Sequence, residues 1–353
     1  MLVPPHTHSL ITQMSALRAI TFALFTAIAN THAATTIDPQ ISWKNPIAPQ
    51  RADPQVKLHT DGYYYMTATV PAYDCIEVRR ARTIGELSTA ATQVIWRKHA
   101  SGPMSHHIWA PELHFLDGKW YAYFAAGRAD AVWNIRMYVL ENASANPFEG
   151  KWTEKGQIKM NWDSFTLDAT LLEHRGDRYL AWAQSAPNAK GTGIYIAKMN
   201  TPWSITGKQT LLTNPKLSWE RVGHDVNEAP AFLRHNGHIF MTYSASATDA
   251  NYCLGMLTAN EDSDLLESKS WKKSPKPVFV SNPATSQYGP GHNCFTTTPD
   301  GKTDILVYHA RNYEKIHGEP LRNPDRATRA QPLSWKADGS PDFGAPVADN
   351  VGH

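Results

Sequence analysis

The sequence predicts an all-β protein, a five-bladed β-propeller, and two regularities carry that prediction. Five turns recur at intervals of 56, 58, 61 and 64 residues: Asp61-Gly62, Asp117-Gly118, Arg175-Gly176, Asn236-Gly237 and Asp300-Gly301. Each is followed by an aromatic or β-branched run: Tyr63-Tyr64-Tyr65-Met66, Trp120-Tyr121-Ala122-Tyr123-Phe124, Tyr179-Leu180-Ala181-Trp182, Ile239-Phe240-Met241-Thr242-Tyr243 and Ile305-Leu306-Val307-Tyr308. Asp-Gly and Asn-Gly accept the positive φ that two-residue hairpin turns demand, so each copy reads as a β-hairpin. Repetition at a fixed period marks an array of like units. A unit of about 60 residues suits a four-stranded sheet with its loops, the size of one propeller blade.

Along the chain, the first element is a targeting segment. Ser15-Ala16-Leu17-Arg18 precedes an apolar run from Ala19 to Ala29, and Thr31-His32-Ala33 suits signal-peptidase cleavage after Ala33. Residues 1–33 therefore read as a signal peptide with Met14 as a possible true start, against the plainer alternative of a buried N-terminal helix. The run is too short for a membrane span. The expected destination is the periplasm or the exterior. Residues 34–353 form a single propeller domain, because the repeat spans both halves of a chain whose length alone allows two domains. Polar, Pro- and Gly-bearing stretches at 142–152 and 201–208 read as loops between blades or outer hairpins. Gln331-Pro332-Leu333-Ser334-Trp335 reads as a final strand, with Ile41-Ser42-Trp43 or its neighbours joining the last blade to close the ring.

Composition narrows the function classes. Of 353 residues, 42% are hydrophobic and 19% charged, and the net charge is +2 with no dense Lys/Arg run, which argues against nucleic acid as a partner. Three cysteines, Cys75, Cys253 and Cys294, allow at most one disulfide, and no zinc-ligand spacing appears. Twelve Trp and fourteen Tyr are enough to fill blade-to-blade core and leave a few aromatic faces for stacking on sugar rings.

The repeat also allows unlike residues to be compared at one position. Nine residues before the turn glycine stand Asp53, Trp109, Glu228 and His292; in the third copy Asp168 stands eight before, a slip ascribed to its altered Arg175-Gly176 turn. Equivalent strand starts converge at one mouth of a propeller channel. Three carboxylates there repel one another and shift each other's pKa values, a cost expected of a functional site. A lone Asp before Pro is ordinarily a turn residue; the five-fold register is what lifts Asp53 above that reading. Glu112 lies six before its glycine and reads as structural.

The segments Arg51-Ala52-Asp53-Pro54, His107-Ile108-Trp109-Ala110-Pro111-Glu112, Leu167-Asp168-Ala169, Asn227-Glu228-Ala229-Pro230 and Gly289-Pro290-Gly291-His292-Asn293, one per repeat and in this order, together resemble glycoside hydrolase family 43. The stretches 61–69 and 307–313 resemble its exo-acting α-L-arabinofuranosidases. The resemblance implies inversion at the anomeric centre, with Asp53 as general base, Asp168 as the modulator of the acid's pKa and Glu228 as general acid. It implies a substrate contact from Arg311, and the ring register adds Trp109, whose aromatic face suits the floor of a terminal-sugar pocket, and His292 as further substrate contacts. His292 is either a ligand to a structural calcium held by waters in the channel or a hydrogen-bonding channel residue; Arg311 otherwise reads as an inter-blade salt bridge. No cofactor is required. The expected substrate is arabinan or an arabinoxylan-type polysaccharide, attacked at chain ends by a monomer, with segments 129–134 and 248–251 walling the pocket and His106-His107 at its rim. Two alternatives stay open at this stage: a β-xylosidase of the same family, and a carbohydrate-binding propeller without catalysis.

Overall fold

Every predicted hairpin forms the inner half of a four-stranded antiparallel sheet. The computed structural model describes residues 42–350; the predicted leader (residues 1–33) and Ile41 lie outside the described residues. The innermost strands are Ala52–Leu58, His106–Leu116, Thr166–His174, Asn227–His235 and Tyr288–Thr297. Each pairs with the aromatic run after its turn, and two further strands follow outward in simple sequence order. The innermost strands of consecutive sheets are neighbours, and the fifth lies beside the first, so the sheets form a ring. We number them blades I to V; together they span residues 52–342.

One apolar cluster fills each blade interface. Tyr65, Ile76, Ile108 and Trp120 lie between blades I and II, and Tyr123, Val139, Leu180 and Trp182 between II and III. Ile194, Ile196, Met241 and Tyr243 serve III and IV; Phe240, Leu254, Phe279 and Tyr308 serve IV and V; Val56, Tyr64, Ile305 and Val307 serve V and I. The aromatic runs are therefore core, each large buried side chain contributing about 1.5–3 kcal/mol. The three cysteines are buried free thiols. No helix among the described residues is long and apolar enough to cross a membrane.

Two details depart from the sequence reading. The Arg175-Gly176 turn is not altered: like Asp117-Gly118 and Asn236-Gly237 it is a two-residue turn with positive φ at both positions. Blades I and V are the different ones, since their hairpins turn through longer loops at 59–63 and 298–303. Ring closure also takes its own form. All four strands of blade V come from the C-terminal region, and the N-terminal segment adds along the outer side of Ala327–Trp335. Ala48 bridges Thr328, the Asn45 side chain accepts from Ala330 N–H (2.9 Å) and donates to its carbonyl (2.8 Å), and Trp43 Nε1 donates to that same carbonyl (3.0 Å).

Asn45 is 1% exposed. Asn45→Ala strips the Ala330 amide of its acceptor and is expected to cost about 1–3 kcal/mol, read as a lowered urea midpoint with an unchanged slope; an unshifted midpoint refutes this account of closure.

Candidate active site

A β-bulge interrupts each innermost strand at the same depth, and blades II and V carry a second one just before it. The residue pairs 53–54, 110–111, 168–169, 229–230 and 292–293 each stand opposite a single residue of the partner strand. The first residue of every pair has positive φ: Asp53 (53°), Ala110 (46°), Asp168 (59°), Ala229 (52°) and His292 (44°). Proline follows in three blades, as Pro54, Pro111 and Pro230, where the broken ladder needs no amide. These bulges turn the strand starts toward the channel mouth.

Four of the five bulged amides are caught by the neighbouring blade. Ala110 N–H donates to Thr69 Oγ1 (2.7 Å), Ala229 N–H to Asp168 Oδ2 (3.0 Å), His292 N–H to Ser244 Oγ (2.7 Å) and Asp53 N–H to His309 Nδ1 (3.0 Å). The last bond fixes the His309 tautomer with its proton on Nε2.

At this mouth lies a cleft of about 320 Å³. Asp53, Asp168, Glu228, His292 and Arg326 supply its polar wall; Trp109, Trp133, Phe165, Leu167, Val226 and Leu321 supply the apolar one. Asp53 accepts from Arg326 (3.1 Å, Oδ1) and from the Thr69 hydroxyl (2.7 Å, Oδ2). Glu228 accepts from Tyr252 Oη (2.6 Å). Trp109 stacks on His107 (ring centroids 4.3 Å apart, 22° between planes), and the 60%-exposed Trp133 leans against both.

The carboxyls are driven apart in acidity. Burial raises Asp53, but the Arg326 guanidinium, His292, His309 and the Thr69 bond outweigh it and hold it well below the usual range. Both histidines are themselves shifted down by burial and are neutral at pH 7, so Arg326 and Thr69 carry the effect there. Glu228 is pushed up to about 7 by burial and the negative charge of Asp53, against the Tyr252 bond and Arg326. Asp168 is also raised, by burial and by Glu228 and Asp53, while the Ala229 amide opposes the shift. Near neutrality Asp53 is ionised, while Glu228 and Asp168 both hold a proton more readily than an ordinary carboxyl.

An ionised carboxylate facing a protonated one across a sugar-sized cleft is the arrangement of a glycosidase, and comparison with known proteins agrees. The model of the family "Glycosyl hydrolases family 43" matches residues 43–341. The chain belongs to glycosyl hydrolase family 43. It is 56% identical over 346 residues to the extracellular exo-α-(1→5)-L-arabinofuranosidase of Streptomyces avermitilis, covering 95% of this chain and 72% of that one. It is 53% identical over 333 residues to α-L-arabinofuranosidase 43 of Humicola insolens, covering 93% and 69%. The crystal structure of an α-L-arabinofuranosidase from Lactobacillus brevis superposes with a TM-score of 0.85 at 52% identity, covering 88% of this chain and 98% of that one.

The family-43 hydrolase brings Asp53, Trp109, Asp168, Glu228 and His292 to one cleft, although they are not one repeat position. Asp53, Asp168 and His292 are the bulged residues themselves; Trp109 and Glu228 stand one residue earlier, level with Ala52, Leu167 and Gly291. The count of nine mixed the two positions because the turns of blades I and V are longer. Arg311 is not a cleft residue. It is 2% exposed, and its donors go to Asn323 Oδ1 (2.9 Å), Thr248 O (2.7 Å) and Pro320 O (3.0 Å), which hold the loop at 319–326 from behind. The cleft arginine is Arg326. It sits in a Pro- and charge-rich tail with no repeat register, so counting missed it; Tyr252 and Thr69 were missed because nothing in sequence marks a tertiary hydrogen bond. Arg51 pairs with Glu77 (2.5 Å), and Glu112 bonds His114 (2.7 Å). Within the segments expected to wall the pocket, Trp133 and Thr248 do line it.

The protein side chains around His292 do not by themselves make up the six to eight oxygens that calcium takes. His292 Nδ1 lies 3.4 Å from Asp53 Oδ1 and 4.0 Å from Asp168 Oδ2, and the Asp53 oxygen already pairs with Arg326. Among the described residues no group of three or more His, Cys, Asp or Glu side chains is placed to hold a metal.

A carboxyl raised on folding ionises more readily in the unfolded chain, so this fold loses stability as pH rises from 4.5, the ordinary value, through about 7. Glu228→Gln removes that cost. The variant is expected to exceed the wild type by about 1–3 kcal/mol at pH 8 and to match it at pH 4, measured by urea unfolding at each pH; a difference independent of pH refutes the assignment.

Proposed function

We propose that this hydrolase is an inverting, exo-acting α-L-arabinofuranosidase that removes terminal arabinofuranose from arabinan or arabinose-bearing hemicellulose. The observation that carries the mechanism is the opposite treatment of two carboxyls at one channel mouth, Asp53 held ionised by Arg326 and Glu228 held protonated by burial. Asp53 accepts a proton from a water attacking the anomeric carbon. Glu228 gives its proton to the glycosidic oxygen as the bond to carbon breaks. Asp168 accepts the Ala229 amide beside the acid (3.0 Å) and serves as the modulator of the acid's pKa. Inversion needs room for the water, with carboxyls about 6.5–9.5 Å apart. Blades I and IV are not adjacent in the ring, which favours such a gap.

The substrate follows from kinship with arabinofuranosidases more than 50% identical to this chain, and a β-xylosidase has no comparable support. End-wise attack is supported by the loop at 319–326, which brings Glu319 and Leu321 to the cleft. Tyr73 Oη donates to the Leu321 carbonyl, and Arg311 anchors the same loop, so one side of the cleft is walled. Trp109, with an indole N–H that has no partner among the described residues, offers a face and a donor to one small sugar. Trp133 offers an exposed ring to the next. The leader at 1–33 and the extracellular naming of a close relative support export. We further propose that the protein acts as a monomer.

Asp53→Asn and Glu228→Gln are each expected to lose about 10²–10⁴-fold in kcat on arabino-oligosaccharides, with Glu112→Gln near wild type. The wild-type rate on these substrates falls as pH rises through about 7, where Glu228 loses its proton. Wild-type-like turnover in either active-site variant, or a loss in Glu112→Gln as deep as in Glu228→Gln, refutes the roles.

Early products from linear 1,5-arabinan decide mode and stereochemistry. Arabinose alone, with NMR showing the β-anomer first, is the expected result; an oligosaccharide ladder refutes exo action, first-formed α-arabinose refutes inversion, and faster release of xylose from β-xylosides refutes the sugar assignment.

A further inference from the structure

We propose that Tyr252 is a positioning residue for the acid: its hydroxyl holds Glu228 Oε1, so that the transferable proton rides on Oε2 and faces the leaving oxygen. The proposal rests on Glu228 being the acid. Oη lies 2.6 Å from Oε1, and Tyr252 is 1% exposed. Its ring lies parallel to His309 (5.6 Å, 2°), whose Nδ1 takes the Asp53 amide proton. One packed unit thus joins the acid on blade IV to the base on blade I.

The fold makes room for this phenol at a place the sequence marks. A Cβ on Gly291 would lie 2.3 Å from Tyr252 Cε1, and one on Gly289 would lie 2.2 Å from the Asp249 carbonyl, which also receives the Tyr252 amide (3.2 Å). The glycines of Gly289-Pro290-Gly291 therefore seat Tyr252 as well as leading to His292. The groups facing Glu228 and Tyr252 are Asp53, Asp168, Arg326 and His309, with Ser244 and the His292 segment alongside. Among them Tyr252 is the donor that reaches Oε1. Burial and the two acids raise its own pKa far above 10, so it keeps its proton throughout the working range.

In the bond-breaking step the Oε2 proton passes to the glycosidic oxygen, which also takes the electron pair of the cleaved C–O bond. Glu228 becomes a carboxylate, and Tyr252 continues to donate to Oε1 while that charge develops. Water adds its oxygen to the anomeric carbon and gives its proton to Asp53; exchange with solvent restores both groups.

The test compares Tyr252→Phe with wild type on a poor leaving group, α-1,5-arabinobiose, and a good one, 4-nitrophenyl α-L-arabinofuranoside. A hydrogen bond to a developing charge sets the expected loss at about tenfold or more in kcat on the disaccharide, with a much smaller loss on the nitrophenyl glycoside. The alkaline limb of kcat/KM moves to higher pH, since a bond favouring the carboxylate is gone. Gly291→Ala, which displaces the phenol, reproduces the pattern in weaker form. Equal losses on both substrates with an unmoved alkaline limb, in a Tyr252→Phe protein that melts like the wild type, overturn the proposal and leave a packing role. Glu228→Ala separates the two readings. If its loss depends on the leaving group and that of Tyr252→Phe does not, only the role of Tyr252 fails; if its loss does not, the acid assignment fails and this proposal with it.

Discussion

A kinked residue on the innermost strand of each blade, held at positive φ, is the constraint from which the site follows. Non-glycine residues resist this conformation, at a cost of order 1–3 kcal/mol each, and five of them stand at one level of the ring. Four of them, all but Asp168, have their displaced amides caught across blade boundaries, by Thr69, Asp168, Ser244 and His309. The same contacts that hold the kinks also stitch blade to blade. Thr69 shows the economy of the arrangement: its oxygen accepts the Ala110 amide while its hydroxyl proton goes to Asp53. Backbone strain, ring assembly and carboxylate placement are one feature.

Burial alone does not make a carboxyl catalytic, and Glu220 is the contrast within this molecule. It is 0% exposed, yet it is met by Lys273 (2.5 Å), Tyr243 (2.9 Å), Asn227 (3.1 Å) and the amides of Lys216 and Leu217. Those partners hold its pKa below the ordinary value, so it is a closed structural anion bracing the segment before blade IV. Eight residues on, Glu228 has one neutral hydroxyl and a neighbouring negative charge. The difference lies in the partners: an anion saturated with donors stays ionised, and one placed near other anions in a low-dielectric cleft keeps its proton. Asp53 falls between these cases, with one guanidinium and one hydroxyl setting its state.

The cleft combines this polar wall with an aromatic one of different origin. Trp109 sits one residue before a bulge and is fixed by the ladder; Trp133 comes from the segment after the hairpin of blade II and is mostly exposed. A further wall is the loop at 319–326, a connection within blade V that is tied down by Tyr73 of blade I and by Arg311 of its own blade. A propeller thus supplies rigid strand starts for chemistry and borrowed loops for shape.

By itself the sequence determined the blade number, the hairpins and the cores, because these depend on turn chemistry and hydrophobic patterning within some 60 residues of chain. It also brought Asp53, Asp168, Glu228, Trp109 and His292 to one mouth, since each belongs to the start of an innermost strand. The common register it inferred was looser than the real one: glycine-to-site distance depends on turn length, and only strand pairing shows that Asp168 is in phase while Glu228 precedes its bulge. Arg326, Tyr252 and His309 were decided by tertiary structure alone. Their roles rest on hydrogen bonds spanning 273, 24 and 256 residues of sequence; two cross from blade V to blade I and one joins strand ends within blade IV, and neither kind leaves a local pattern to read. Arg311 and Arg326 are alike as residues, 15 positions apart, and only the path of the loop between them puts one behind the wall and the other on the base.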